Sequence, residues 1–221
     1  MARLTTIFIL TMLISSCSAS RKIVDKPVIF NKDRKELTLQ YMDERYGLKQ
    51  NSPSIVPKMV VLHWTAIPTF EGSFDAFLKA KLPNWRPDIE SASALNVSAH
   101  FIVDQDGTIY KLLPETTMGR HVIGLNHCAI GVENVGGTAE TPLTEAQLKS
   151  NIWLVKYLAK KYDIEFLIGH HEYTLFEGHG LWLEKDDGYR TTKTDPGDDF
   201  MNKVRKATKR FDFKPIPTKN Q

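Results

Sequence analysis

The 221-residue sequence is poor in cysteine, with only Cys17 and Cys128. We expect no internal disulfide, because Cys17 has another use described below and Cys128 has the surroundings of a small core residue. Charge of one sign is also scarce. The formal net charge is only +3, and the basic excess collects at the C-terminus, so we expect no nucleic-acid partner. We find no repeats and no second domain, and we expect a single-domain monomer.

The apolar run at the N-terminus, Leu4–Ile14, is too short to span a bilayer. A positive residue before it and small residues after it are typical of a secretory signal. The letters LISSC that end at Cys17 resemble a bacterial lipobox, which implies cleavage before Cys17 and lipid on its thiol. We therefore expect a signal peptide at 1–16, a lipid-anchored tether and lead-in at 17–57, and a lipoprotein of the bacterial cell envelope, in the outer membrane facing the periplasm. The alternative is a plain signal with a chance cysteine.

Strands alternate with helices over the rest of the chain, which predicts an α/β domain with a central mixed sheet flanked by helices. We place this domain at residues 58–213, followed by a basic tail at 214–221. The predicted elements are a helix within Lys32–Tyr46, a strand at Met59–Trp64, a helix near Ser73–Leu82, a hairpin of Ser98–Val103 and Thr108–Leu113, a strand at Ala129–Val135, a helix opened by a capping box at Thr144–Gln147, and a strand at Phe166–Ile168.

Five polar side chains lie at or just after predicted strand ends or on a tight loop: His63, Glu133, His170, Lys193 and Asp195. Such positions let distant segments meet on one rim of a sheet. Two imidazoles and one carboxylate form a three-ligand catalytic set for zinc, with a fourth position left for water. A further carboxylate can move protons, and a fixed cation can stabilise an oxyanion. Spacing alone does not prove that these residues meet.

A serine hydrolase is the competing reaction class. Ser98 and His100 lie two residues apart on one predicted strand, which is the wrong geometry for a nucleophile and its base. The sequence also has no nucleophile elbow. We therefore reject this class.

Several segments resemble the type 2 family of zinc-dependent N-acetylmuramoyl-L-alanine amidases, whose fold is shared with peptidoglycan recognition proteins. The resemblance covers roughly residues 58–200, with the segments in the family's order. They are VVLHWTA around His63, VSAHFIVDQDG around His100, AIGVE ending at Glu133, IGH ending at His170, and KTDPG from Lys193.

The resemblance implies one Zn²⁺ ion bound by His63, His170 and Asp195. It also implies Glu133 as the general acid and base and Lys193 as the group that stabilises the transition state. The implied reaction cleaves the amide bond between N-acetylmuramic acid and L-alanine in peptidoglycan or muropeptides. We expect substrate contacts from Trp64, His121 and Asn126, the last two in a loop that resembles a segment of the family's substrate groove.

Three alternatives stay open at this point. His171 competes with His170 for one ligand position, although the IGH pattern favours His170. The 22 residues between His170 and Lys193, where close family members have a short turn, form either a substrate-facing flap or a surface loop. The chain could also be a recognition module of the same fold that binds peptidoglycan without cutting it. A purely structural lipoprotein is rejected, because it leaves the five matching segments unexplained.

Overall fold

The computed structural model describes residues 22–83, 87–90 and 92–218. The strands are β1 (Ile23–Asp25), β2 (Met59–Leu62), β3 (Phe101–Val103), β4 (Ile109–Lys111), β5 (Ala129–Asn134) and β6 (Phe166–Gly169). The α-helices are α1 (Lys32–Tyr46), α2 (Phe70–Leu78), α3 (Pro87–Glu90), α4 (Glu145–Lys161) and α5 (Asp198–Thr208), and 3₁₀ helices occupy His170–Phe176 and Lys209–Phe211.

The six strands form one mixed sheet in the order β1-β4-β3-β5-β2-β6. The β3–β4 pair is antiparallel, as the predicted hairpin requires, and every other neighbouring pair is parallel. All residues of β2, β5 and β6 are buried, which explains the apolar character of β2, β6 and the first four residues of β5. The predicted α/β fold with a central mixed sheet is therefore confirmed.

The two faces of the sheet have different covers. Alternate residues of β2, β5 and β6 pack on one face against α4 and α5, in a core that includes Val60, Val132, Leu154, Leu167 and Val204. The intervening residues pack on the opposite face against loops and the first 3₁₀ helix, in a core that includes Met59, Ala129, Ile168, Leu125 and Phe176. Because strand side chains alternate between faces, odd-numbered residues of β2 and β5 share the loop-covered face with even-numbered residues of β6.

The ends of the helices follow from local chemistry. Thr144 and Gln147 form the predicted capping box: the Gln147 N–H donates to Thr144 Oγ1 at 3.1 Å, and the Thr144 N–H donates to Gln147 Oε1 at 2.9 Å. The second helix lies slightly earlier than predicted from the sequence, at Phe70–Leu78, because the Thr69 hydroxyl caps it by accepting from the Gly72 N–H.

The folded region begins well before residue 58, where the sequence placed the start of the domain. Strand β1 pairs with β4, and α1 is anchored by the buried Arg34, which donates to the Phe77 carbonyl oxygen at 2.7 Å. Thus the expected tether and lead-in at 17–57 is an integral part of the fold from residue 22 onward. The helix at Lys32–Tyr46 was predicted, but its attachment to the domain was not, because β1 is only three residues long and α1 is mostly polar.

Cys17 and the expected signal peptide lie outside the described residues. Within the part of the chain that the structure covers, no helix has the length and apolar character needed to cross a membrane.

Candidate metal centre and cavity

Strand register brings three of the predicted site residues together. Leu62 of β2 pairs with Val132 of β5 on one side and with Gly169 of β6 on the other. The next residues along these parallel strands are His63, Glu133 and His170. They therefore lie side by side at the carboxyl edge of the sheet, on the face that the loops cover.

Asp195 joins this group from the loop before α5. Its Oδ2 atom lies 3.3 Å from Nδ1 of His63 and 3.0 Å from Nδ1 of His170. The ligand atoms of the three residues lie within 4.8 Å of one another, and all three residues are buried. The structure thus brings together the three ligands expected from the sequence.

The donor set fits a zinc ion. Around a tetrahedral Zn²⁺ with bonds of about 2.0–2.1 Å, two donor atoms stand roughly 3.3 Å apart, close to the distances from Asp195 Oδ2 to the two imidazoles. The chemistry also fits, because two imidazoles and one carboxylate leave a coordination position for water. His63, His170 and Asp195 are therefore the residues that would hold the ion.

The electrostatics of the cluster keep its donor atoms available. The pKa of His170 is lowered to about 4, chiefly by burial and also by the neighbouring His63, while Asp195 opposes the shift, so the imidazole is neutral at neutral pH. Burial alone would raise the pKa of Asp195, but the His170 imidazole opposes this effect, and the pKa lies well below its ordinary value. Metal ligands must be deprotonated, and His170 and Asp195 meet this requirement at neutral pH.

His171 supports the centre without occupying a ligand position. Its backbone N–H and its Nδ1 both contact the carbonyl oxygen of Asp195, at 3.0 and 2.9 Å, and its Nε2 lies 3.0 Å from Asp198 Oδ1. The ring packs so closely on Gly169 that a Cβ there would lie 2.6 Å from it. Of the two histidines that competed for the ligand position, His170 therefore belongs to the metal cluster. His171 holds the backbone that carries Asp195.

A cavity of about 430 Å³ opens beside the cluster. Glu133 and Lys193 lie in its wall together with the three candidate ligands. Glu133 is only 8% exposed, so its carboxylate acts in a largely dehydrated environment, whereas Lys193 is half-buried. The five residues singled out from the sequence thus border one space in which a substrate could bind.

Trp64, His121 and Asn126 also line the cavity, as expected for substrate contacts. Trp64 is half-buried and packs on Gly137, where a Cβ would lie 2.3 Å from the indole. Asn126 is almost fully buried: its Oδ1 accepts from the backbone N–H groups of His121 and Val122, and its Nδ2 donates to the Tyr46 hydroxyl. The contacts observed for Asn126 hold the loop in shape, and a direct contact with substrate stays a prediction.

The segment between His170 and Lys193 is packed against the domain and is not a loose surface loop. Glu184 is buried in it and pairs with Arg45 of α1 at 2.8 Å. Tyr189 accepts a hydrogen bond from Arg120 at 3.0 Å, and Tyr189 and Thr191 line the cavity. The segment therefore forms one wall of the site, as a substrate-facing element would.

Arg120 is the main feature of the site that sequence reasoning missed. Its guanidinium is buried and donates to the carbonyl oxygens of Ile89, Ser93 and Leu95 as well as to Tyr189. It thereby joins several segments, two of whose residues, Ile89 and Tyr189, also line the cavity. The only signal in the sequence is its position beside His121, since its partners lie far away along the chain.

Other buried histidines and the second cysteine are structural. His100 Nδ1 accepts from the Gly131 N–H at 2.9 Å, and its Nε2 donates to the Thr117 carbonyl oxygen at 2.8 Å. Burial lowers the pKa of His121 well below its ordinary value and raises the pKa of the Cys128 thiol to about 12. Cys128 is thus an inert core residue, as its sequence context indicated.

The fold and the site together define a class: a single α/β domain with a candidate His-His-Asp metal centre in a cavity at the carboxyl edge of its sheet. A family model described as N-acetylmuramoyl-L-alanine amidase matches residues 51–198. The chain belongs to this family, and the family resemblance noted from the sequence is confirmed.

Individual proteins of known sequence or structure are also similar to this chain. The endolysin of Escherichia phage T7 is 39% identical over 83 residues, which are 35% of this chain and 55% of the endolysin, so the match spans only about half of that relative. The structure is similar to N-acetylmuramoyl-L-alanine amidase LysC from Clostridium intestinale URNW, with a TM-score of 0.52 and 22% identity over 88% of this chain and all of LysC. It is also similar to peptidoglycan recognition protein-LE in complex with tracheal cytotoxin, with a TM-score of 0.50 and 17% identity over 83% and 92% of the two chains. At these identities the two structures support the fold alone.

Removal of the carboxylate ligand should strongly weaken metal binding. We expect Asp195→Ala to weaken zinc binding by more than the roughly 10–100-fold that loss of an outer hydrogen-bond partner costs, because a direct ligand is removed. Zinc affinity is measured by competition with a chromophoric chelator. Asp199→Asn is the matched control, since that exposed carboxylate pairs only with Lys203 in the structure and should leave zinc affinity unchanged. Undiminished affinity in Asp195→Ala would remove Asp195 from the centre.

Stability without metal should fall in mild acid. Burial lowers the pKa of both His100 and His127 to about 4 from an ordinary value of 6.5. Below pH 6.5 the unfolded chain binds protons that the folded protein excludes, so each histidine should reduce the free energy of unfolding by up to about 1.4 kcal/mol per pH unit until pH approaches 4. Urea titrations in the presence of a chelator measure this slope.

The variant His127→Asn tests the origin of this pH dependence. It should flatten the slope between pH 6.5 and 4.5, because one excluded proton is removed. An unchanged slope in His127→Asn, or a wild-type stability that is constant over this range, contradicts the assignment.

Proposed function

We propose that the protein is a zinc-dependent amidase that hydrolyses the bond between N-acetylmuramic acid and L-alanine in peptidoglycan or muropeptides. The observation that carries the proposal is the joint presence of His63, His170, Asp195, Glu133 and Lys193 around one cavity. Membership of the amidase family supports the choice of bond. When bound, Zn²⁺ acts as a Lewis acid and lowers the pKa of water towards ~7.

Glu133 is the proposed general base and acid. It borders the same cavity as the three candidate ligands, and register places it next to His63 on the neighbouring strand. A carboxylate there can take the proton of the attacking water and deliver it to the nitrogen that leaves with L-alanine.

Lys193 is the proposed electrostatic partner of the transition state. It lies two residues before Asp195, so the loop that carries the carboxylate also carries the cation. Its charge contributes to lowering the pKa of His170, which indicates that its field reaches the centre. A cation at this position stabilises the negative charge that develops on the carbonyl oxygen when the amide is attacked.

The wall formed by residues 177–192 is the proposed determinant of which stem peptides fit. Its Tyr189 and Thr191 face the cavity, and it is fixed to α1 through the Arg45–Glu184 pair. A preformed wall positions a peptide with little loss of entropy on binding. The stem peptide is therefore expected to lie between this wall and the metal centre.

The second candidate function is that of a recognition module that binds peptidoglycan without cutting it. The structural likeness to peptidoglycan recognition protein-LE in complex with tracheal cytotoxin supports this candidate. Retention of three ligands plus Glu133 and Lys193 favours the enzyme, since binding alone needs no general base.

Glu133→Gln separates binding from chemistry. We expect wild-type protein to release free stem peptide that begins with L-alanine, to lose this activity with a chelator and to regain it with zinc. Glu133→Gln should keep its zinc and lose turnover by about 10²–10⁴-fold, because the amide cannot accept the proton. Mass spectrometry of defined muropeptides identifies the products.

Two results would change the assignment. Near-wild-type turnover in Glu133→Gln would reject its role as the base. Intact muropeptides after incubation with fully zinc-loaded wild-type protein would favour the recognition module.

We further propose that lipid on Cys17 anchors the protein to the outer membrane, with the domain facing the periplasm. The LISSC segment supports this location, and Ser18 follows the cysteine with no acidic run in the tether. Several acyl chains on one cysteine provide firm anchoring that a single chain does not. The peptidoglycan substrate is then within reach of a short tether.

Replacement of the anchoring residue tests the location. Cys17→Ser should remove the protein from the outer-membrane fraction after cell fractionation, with no change in the domain that follows. Density-gradient separation of the two membranes checks the outer-membrane assignment for wild-type protein. Recovery of Cys17→Ser in the outer-membrane fraction at the wild-type level would contradict a lipid anchor at this position.

A further inference from the structure

The His63 imidazole has different surroundings at its two nitrogens. Nδ1 faces the metal cluster, 3.3 Å from Asp195 Oδ2. Nε2 faces away from it and lies 3.1 Å from Nδ1 of His121. A neutral imidazole carries one proton, so the partner of Nε2 determines whether Nδ1 has a lone pair for a metal.

The contacts of His121 settle where that proton is. Its Nε2 lies 3.2 Å from the carbonyl oxygen of Ala129, and a carbonyl oxygen can only accept. Nε2 of neutral His121 therefore carries the proton, and its Nδ1 must accept. It follows that Nε2 of His63 donates to Nδ1 of His121.

We propose that His121 is a positioning residue that fixes the tautomer of His63, so that the Nδ1 lone pair of His63 points into the metal centre. The hydrogen-bonded series runs from His63 through His121 to the Ala129 carbonyl oxygen. Both nitrogens of His121 are engaged in it, so neither is left for a substrate. This function replaces the substrate contact expected for His121 from the sequence.

Tight packing keeps the His121 ring in this orientation. The ring lies against Gly131 of β5, where a Cβ would come within 2.7 Å of Cγ of the imidazole. The backbone N–H of His121 is held by Asn126 Oδ1 at 2.8 Å. His100 packs on another side, with ring centroids 5.7 Å apart. A ring confined in this way cannot exchange its two nitrogens by rotation.

The opposite tautomer would disable the centre. With its proton on Nδ1, His63 would donate a hydrogen bond to Asp195 Oδ2, and its Nδ1 would have no lone pair to bind a metal. With the proton on Nε2, the lone pair of Nδ1 and the Asp195 carboxylate face each other across 3.3 Å, an arrangement that a cation between them stabilises. The role of His121 rests on the proposed zinc site but not on the bond that is cleaved.

Nuclear magnetic resonance can observe the tautomer directly. Long-range ¹H–¹⁵N correlation spectra of the full chain with ¹⁵N-labelled histidine, without zinc at pH 7.5, should show the proton on Nε2 in both His63 and His121. Assignment uses single His→Asn variants. A proton on Nδ1 in either ring overturns the proposal, and this outcome is independent of whether muropeptides are cut.

Two substitutions at residue 121 test the consequence for zinc. In His121→Asn the side-chain oxygen takes the approximate place of Nδ1 and can still accept from His63, whereas His121→Leu has similar bulk but no acceptor. Both variants lose the hydrogen bond to the Ala129 carbonyl oxygen, so they differ mainly in whether residue 121 can accept from His63. We expect His121→Leu to weaken zinc binding by about 10–100-fold and His121→Asn to stay within a few-fold of wild type.

Chelator competition measures zinc affinity, and thermal unfolding of the zinc-free proteins compares their stability. Equal zinc affinity in the two variants, whether high or low, overturns the proposal. If His121→Leu does not fold, the spectra of the wild-type protein still decide it. Loss of amidase activity is not used as a criterion, so a failure of the proposed reaction is distinguishable from a failure of this inference.

Discussion

The site depends on the shared register of three parallel strands. Leu62 of β2 lies level with Val132 of β5 and Gly169 of β6, so the residues that come next, His63, Glu133 and His170, are neighbours without any loop having to place them. Gly131 of β5 has no side chain, and this leaves room for the His121 ring, which contacts His63. A slip of one residue in any of these strands would turn its functional side chain to the face covered by α4 and α5.

Asp195 meets the strands by a different route, since it comes from a loop at the end of a long insertion. Two anchors compensate for that length. His171 binds the carbonyl oxygen of Asp195 at the base of the insertion, and Arg45 pairs with the buried Glu184 near its middle. The insertion is therefore both a wall of the cavity and a rigid connection between His170 and Asp195. A free loop of that length would lose more conformational entropy on ordering.

Much of this arrangement could be predicted from the sequence, and the limits are physical. Apolar runs located the buried strands, and the ends of those runs located His63 and His170, because burial and register are properties of local sequence. The Thr144 capping box was equally local. In contrast, β1, the buried Arg120 and the contact between His63 and His121 depend on partners far away in the chain. A three-residue strand and a charged side chain that is satisfied by carbonyl oxygens leave no periodic signal.

The Arg45–Glu184 pair has a consequence for the modular boundaries of the domain. Arg45 belongs to α1, which precedes the segment matched by the family model, whereas Glu184 lies within that segment. A protein trimmed to residues 51–198 would lose the cation that pairs with this carboxylate, together with the helix that carries it. In this chain the smallest transferable unit is therefore larger than its recognisable family core, and α1 and the insertion should be inherited, exchanged or deleted together.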